Sequence, residues 1–406
     1  MFKFDFDIEE DPEIDSDALG LESQDKLPVS STVHEDTVQN TASVQFTEHT
    51  LDELLETIPS TGFSFSPLQI SSGRDALMLP RRDLFDARFQ LIAASAQTEQ
   101  EQDQELEDLK FVEAPSDLIP GVYEGGLKTW ECSVDLAAYL HESLPPDFIV
   151  GKRVLELGCG TAVPSMYLLR QAFSHPPNPN RQTSIHLQDY NELVFRLAVL
   201  PSIILTWYMS PASTSFRESQ TPTTSETDDT LPPADSTQPG DLPITPSLLS
   251  AFRHSLSTHN IELHFFSGSW ETFDLERSGG KKYDIVLTSE TIYSLDSLPS
   301  LLDLMWQASS STQTHESVKS LEDLTKDISL TSPSPSKPSQ EDDEFDRQCV
   351  VAAKLVYFGV GGGVTEFIDA VENARYTNRA RCPGRVETVW NKDEGVKRVI
   401  MKVKWR

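Results

Sequence analysis

Residues 153–162, RVLELGCGTA, decide how this chain folds. An apolar run of Val154, Leu155 and Leu157, carrying Glu156, opens into Gly158-Cys159-Gly160, the pattern of a buried strand feeding a glycine-rich turn ahead of a helix. Glycines there let the backbone approach a ligand where a Cβ would collide with it, which suits an adenosine-bearing cofactor. A nicotinamide dinucleotide fingerprint needs a third glycine at position 163, but that residue is Val163 and Pro164 follows, which speaks against a pyrophosphate cradle. The E-x-G-x-G form, with Glu156 two residues before Gly158, suits a cofactor with a cationic amino-acid end and no phosphates, S-adenosylmethionine. A lone G-x-G also marks a tight turn without any ligand, so the rest of the chain has to decide.

Working outward, six further segments read as strands. Residues 184–190 (SIHLQDY) give a second strand ending in Asp189, where the acid of Rossmann-like folds meets ribose hydroxyls. Residues 263–268 (LHFFSG) give a third, running into Ser269-Trp270, and residues 283–290 (YDIVLTSE) a fourth, apolar enough to be covered on both faces. Residues 350–360 (VVAAKLVYFGV) predict a fifth, closed by Gly361-Gly362-Gly363; residues 385–390 and 397–405 (KRVIMKVKW) predict the sixth and seventh. The fold class is α/β, a doubly wound seven-strand Rossmann-like sheet with helices on both faces. Ligands of such sheets sit at the carboxyl ends of the strands, where Glu156, Asp189, Ser269, Ser289 and Glu290 fall.

Much of the 406-residue chain reads as lying outside that domain. Residues 1–60 hold 16 Asp or Glu against Lys3 and Lys26, so residues 1–74 are expected to form an acidic, largely disordered arm ahead of a domain spanning 75–406. Two stretches rich in Ser, Thr, Pro and Asp, near 210–247 and 309–348, interrupt the sheet before its third and fifth strands and read as disordered surface insertions. The net charge of −31 speaks against nucleic acid as a direct ligand; it reads either as favouring a basic protein partner or as charge in loose arms that serves solubility. Alternating Phe2, Phe4 and Phe6 read either as a docking segment or as a plain tail. The four cysteines, Cys132, Cys159, Cys349 and Cys382, show no C-x-x-C spacing, so no metal site and no disulfide framework are expected. The acidic start carries no secretory signal and no run of about 18 apolar residues occurs, which predicts no membrane span and a monomer of the cytoplasm and nucleus.

Just ahead of the first strand, residues 119–139 place Gly125-Gly126 before a helix starting near Thr129, with Val134, Leu136, Ala137, Ala138 and Leu140 on its apolar face. A lid helix explains Val134 onwards. Trp130 and Glu131 at its start are read as closing over the cofactor, Glu131 facing its ammonium group.

GVYEGGLKTWECS, VLELGCGTAVPSMYLL, LQDYNELV, GSWETF, YDIVLTSETIYS and YFGVGGGVTEF occur in this order, and over residues 75–406 apart from the insertions the chain resembles the eukaryotic histidine protein methyltransferases, relatives of the seven-strand lysine methyltransferases. The resemblance implies methyl transfer from S-adenosylmethionine to a histidine of a large-subunit ribosomal protein. It further implies that Thr129, Trp130, Glu131, Cys132 and Ser133 lie beside the methionine end, with Gly158, Cys159 and Gly160 in the turn. By the same resemblance Gln188, Asp189 and Tyr190 surround the ribose, Gly268, Ser269 and Trp270 lie by the adenine, and Ser289 lies near the sulfonium. One departure is Ser269, where such enzymes often carry an acid for the adenine amino group, which predicts weaker adenine selection.

The chemistry asks little of a base. Imidazole, with a pKa of about 6.5, already carries a lone pair at neutral pH, whereas lysine near about 10.4 must first shed a proton. Glu290 is the candidate for holding the far ring N–H of the target histidine, the alternatives being a cofactor-pocket or helix-capping carboxylate. Tyr293 either lines the substrate slot or packs, and the glycines at 361–363 are expected to admit a substrate backbone. None of the nine histidines has a catalytic claim; His186 and His264 read as packed neutral rings, while His34 and His49 lie in the arm. Two further readings stay open: a lysine or small-molecule methyltransferase of the same fold, and a cofactor-binding ribosome assembly factor.

Overall fold

A computed structural model describes residues 43–59, 62–70, 77–83, 85, 126–220, 231–310, 347–357, 361–373 and 383–405. The expectations for Phe2, Phe4, Phe6, His34, Gly125 and Cys382, and most of those for the arm and the second insertion, lie outside these residues.

Strands β1 (Thr47–His49), β2 (Phe63–Ile70) and β3 (Leu77–Arg82) flank and follow helix α1 (Leu51–Glu56). Then come α2 (Glu131–Ser143), β4 (Arg153–Leu157), α3 (Val163–Ser174), β5 (Thr183–Asp189), α4 (Glu192–Tyr208) and α5 (Thr214–Ser219). Strand β6 (Gly240–Leu242), α6 (Pro246–Thr258), β7 (Ile261–Ser267), β8 (Ile285–Ser289), α7 (Leu298–Ser309), β9 (Gln348–Lys354), α8 (Val364–Asn373), β10 (Gly384–Lys392) and β11 (Arg398–Trp405) complete the order.

The main sheet runs β1-β7-β5-β4-β8-β9-β11-β10. The five central strands β7, β5, β4, β8 and β9 are parallel, and β11 inserts antiparallel between β9 and β10. All seven expected strands are therefore present, and the order turns back beside β4, the place where ligands bind in such sheets. Alternation splits the strand side chains into two apolar clusters. Val154, Ile185, Leu187, Ile285 and Val350 pack with α2, α3, α4 and α6, while Leu155, Leu157, Val286 and Val351 pack with α7 and α8. The fifth strand is shorter than expected, ending at Lys354.

Two boundaries need correction. Part of the supposed arm is built into the fold: β1 pairs antiparallel with β7, α1 starts on a capping box in which Thr50 and Glu53 exchange hydrogen bonds, and β2 buries Phe63 and Phe65. The acids Asp52 and Glu53 that made this segment look unstructured sit in the first turn of α1, while Leu54 and Leu55 face inward. Likewise, the stretch near 210–247 carries α5 and β6, and β6 pairs with β2 to form a second, three-stranded antiparallel sheet β3-β2-β6. Leu242 is fully buried and Ile244 nearly so. Among the described residues no single helix is long and apolar enough to cross a membrane, and no cluster of His, Cys, Asp or Glu suits a metal.

Candidate active site

Strand β4 ends at Leu157 and the chain turns at Gly158 (φ +57°) and Gly160 (φ +51°), both in the left-handed region that glycine tolerates. The second strand ties this turn down. The Gly158 N–H donates to Gln188 Oε1 at 3.2 Å, Cys159 N–H to the Gln188 carbonyl at 2.9 Å, and Gly160 N–H to Asp189 Oδ2 at 2.8 Å. The Gln188 amide is held at both ends, receiving Trp270 Nε1–H at 2.7 Å and donating to the Gly268 carbonyl at 2.8 Å. Asp189 Oδ1 accepts from Asn191 N–H at 3.1 Å.

From the other side, the approach to α2 meets the turn. Thr129 Oγ1 lies 3.0 Å from Thr161 Oγ1, and a Cβ on Gly160 would sit 3.4 Å from the Gly126 carbonyl. Trp130 is the N-cap of α2, Ser133 Oγ donates to its carbonyl at 2.7 Å, and Cys132 is fully buried. Segments 129–133, 158–160, 188–190, 268–270 and 289–290, scattered over more than 160 positions in sequence, thus converge at the carboxyl ends of β4, β5, β7 and β8.

Several residues take places other than those expected. Glu156 points away from the turn into α3, where its Oε2 accepts from Ser165 N–H at 3.0 Å and from Ser165 Oγ. Glu156 shares the face of β4 that carries Val154 and packs against α3, whereas Leu155 and Leu157 face the other way. Burial pushes the Glu156 carboxyl up to about 8, so it is largely protonated at neutral pH. The folded form then holds a proton that the unfolded chain releases between the ordinary carboxylate value and about 8, and this contribution is complete at low pH and lost as pH rises through that window. Relative to Glu156→Gln, wild-type stability is expected to fall by about 1.4 kcal/mol per pH unit across it; urea melts at pH 5, 6, 7 and 8 measure the difference, and parallel curves refute the assignment.

Ser269 caps the short turn Trp270–Thr272 by accepting from Glu271 N–H at 3.3 Å, and its own N–H donates to the Val44 carbonyl at 3.0 Å. Of the glycines at 361–363, Gly362 is closely packed, since a Cβ there would lie 2.4 Å from the Tyr293 carbonyl, which accepts its N–H at 2.9 Å, while a Cβ on Gly361 would meet only Leu295 at 3.9 Å. The Tyr293 ring packs edge-on to Tyr357, with centroids 6.3 Å apart. Of the histidines, His186 is the packed ring that was expected, whereas His49 belongs to β1 and not to a loose arm. His186 stacks on His264, and burial first, then the neighbouring His264 and Arg153, push it down to about 2.

Glu290, directly after β8, adopts φ +59°, a strained conformation for a non-glycine residue, with its N–H on the Ala352 carbonyl at 3.0 Å. Its side chain is buried, and Oε1 receives no hydrogen bond among the described residues. The cation facing it is Lys354, whose Nζ lies 3.5 Å from Glu290 Oε1, 3.3 Å from Glu131 Oε2 and 4.7 Å from the centre of the Trp130 ring. Glu131, expected to face the cofactor's ammonium, is thus engaged by the chain's own lysine. Burial would raise its carboxyl, but its own backbone N–H together with Lys354 and Arg398 outweighs this and holds it below the usual carboxylate range. Burial first, and then the Glu290 charge, push the Cys132 thiol and the Tyr357 phenol up, so both are neutral. Lys354 is the functional candidate that sequence reading missed. A single cation closing the apolar run VVAAK was the available signal.

No protein-family model matches the chain. It is 31% identical over 330 residues to Histidine protein methyltransferase 1 of Schizosaccharomyces pombe, covering 79% of this chain and 75% of that one. To Histidine protein methyltransferase 1 of Saccharomyces cerevisiae it is 30% identical over 321 residues, covering 78% and 74%. The Histidine protein methyltransferase 1 homolog of Bos taurus is 29% identical over 301 residues, covering 73% and 60%. Over these lengths, and with the carboxyl-end constellation just described, the chain belongs to the histidine protein methyltransferase 1 family.

Proposed function

We propose that this chain uses S-adenosylmethionine to methylate a histidine side chain of a large-subunit ribosomal protein. The observation that carries the cofactor assignment is the donor set of the glycine turn. Its N–H groups are already bonded to Gln188 and Asp189, and the acids Asp189 and Glu290 stand at the adjoining strand ends, a lining that suits a cationic ligand and leaves no anion nest for phosphates. Asp189 and Tyr190 would hold the ribose, Trp270 and the Gly268 backbone the adenine, and Thr129, Trp130, Cys132 and Ser133 the amino-acid end. When bound, the cofactor supplies an electrophilic methyl group on a sulfonium.

The chain's own task is to place a neutral imidazole and to stabilise the positive charge that the ring gains. Glu290 fits that role, being buried and fixed by its backbone at the end of β8. Its carboxylate would hold the far ring N–H, which selects the tautomer and steadies the forming imidazolium. Glu290→Gln is expected to lower single-turnover methylation about tenfold to a hundredfold, equivalent to roughly 1.5–3 kcal/mol for a hydrogen bond to a charged group, with cofactor affinity unchanged. Wild-type turnover rejects the role, and a defect confined to affinity moves Glu290 into the cofactor pocket.

The acidity of residues 1–60 complements a basic ribosomal protein. The whole reading is tested by incubating the full chain with labelled cofactor and an extract from cells lacking it. Methylhistidine on a large-subunit protein is the expected product; methyllysine, or binding without transfer, overturns it.

A further inference from the structure

Trp130, Glu131 and Glu290 together make a receptor for an alkylammonium ion: one aromatic face and two carboxylates converging on a point. The chain fills that receptor itself. Lys354 is only 17% exposed, is anchored at the end of β9, and places its Nζ against all three groups. A second ammonium, from Lys128, lies 4.6 Å from the centre of the same Trp130 ring. Arg398, ion-paired with Asp135 on α2, adds a further positive charge beside Glu131. An incoming lysine side chain would therefore find its aromatic and acidic partners taken and a like charge within a few ångströms, where repulsion in a partly buried site is strong. A neutral imidazole brings no charge against Lys354 on entry, and it needs only the second oxygen of Glu290, since Lys354 Nζ lies against Oε1.

We infer that Lys354 is a specificity-determining residue, whose ammonium occupies the Trp130–Glu131–Glu290 cage and bars substrate lysine while leaving histidine admitted. The inference rests on the proposed histidine methylation, but its test does not need turnover. The full chain, saturated with S-adenosylhomocysteine, is titrated with n-butylammonium as a mimic of the lysine side chain and followed by calorimetry. Wild type is expected to show no binding below about 10 mM, and Lys354→Met to bind at least tenfold more tightly. Lys354→Arg, which restores the charge, should behave as wild type. Lys354→Gln serves equally should the methionine variant lose its melting transition. Equal affinity in wild type and neutral variants overturns the inference, and so does tight binding by Lys354→Arg. Binding seen only without S-adenosylhomocysteine hands the cage to the cofactor's own amino group and overturns it too. Absence of methylhistidine from wild-type reactions would instead reject the underlying activity, a separate outcome.

Discussion

Gly158→Arg is expected to lose at least a hundredfold in affinity for S-adenosylmethionine, about 3 kcal/mol, while keeping a cooperative melt. The residue sits at φ +57°, where an L side chain costs about 1–2 kcal/mol, and even a bare Cβ would lie 2.6 Å from Thr291 Cγ2 and 3.4 Å from Trp270 Cζ2. Any side chain must therefore leave by the open mouth of the turn, the space assigned to the cofactor, or push Thr291 away and drag Glu290 with it. Relief by movement is limited, because Thr291 Oγ1 is 2.7 Å from Thr288 Oγ1, which in turn donates to the Leu157 carbonyl at 2.8 Å. Calorimetry on the folded variant is decisive: near-wild-type affinity would remove the turn from the site altogether.

Deleting residues 212–246 is expected to abolish the native melting transition, although the composition of this stretch suggests a dispensable loop. The segment contributes β6 to the second sheet, and with it Leu242 and Ile244. Withdrawing two such side chains from the core forfeits about 3–6 kcal/mol, a large share of the roughly 5–15 kcal/mol that holds a domain together. Further ties go with them, since Ser213 Oγ donates to the Tyr208 carbonyl at 2.6 Å and the Tyr208 hydroxyl donates to the Pro232 carbonyl. A deletion variant melting within a few degrees of the parent would show that the small sheet is ornamental.

That contrast marks where sequence reading works for this chain. Seven of the eight strands of the main sheet are legible: β8 and β9 are buried on both faces and so appear as short apolar runs, while β11 shows as an alternating run. The glycine turn and its partners Gln188 and Asp189 follow from the same logic. The small sheet is not legible, since β6 has only three residues and its meaning depends on Phe63 and Phe65, more than 170 positions away. Glu156 is misread for a related reason: it stands only two residues before Gly158, but it shares the α3-facing side of β4 with Val154 and is spent on Ser165. Lys354 escapes notice because its partners Glu131 and Glu290 come from α2 and β8, and nothing local to β9 announces them.

The three residues of β1 also decide how this chain behaves in company. Without them, β7 would be the last strand on its side and would present unpaired N–H and C=O groups along Phe265, Phe266 and Ser267, a template on which a neighbouring molecule's strand can assemble. Thr47, Glu48 and His49 close that line, His49 adding a 2.7 Å contact from Nε2 to Ser267 Oγ, and Phe46 stacks on Phe266 behind them. Strand β1 thus guards the catalytic domain against edge-to-edge assembly, and any shortened form meant to stay unaggregated has to begin ahead of Phe46.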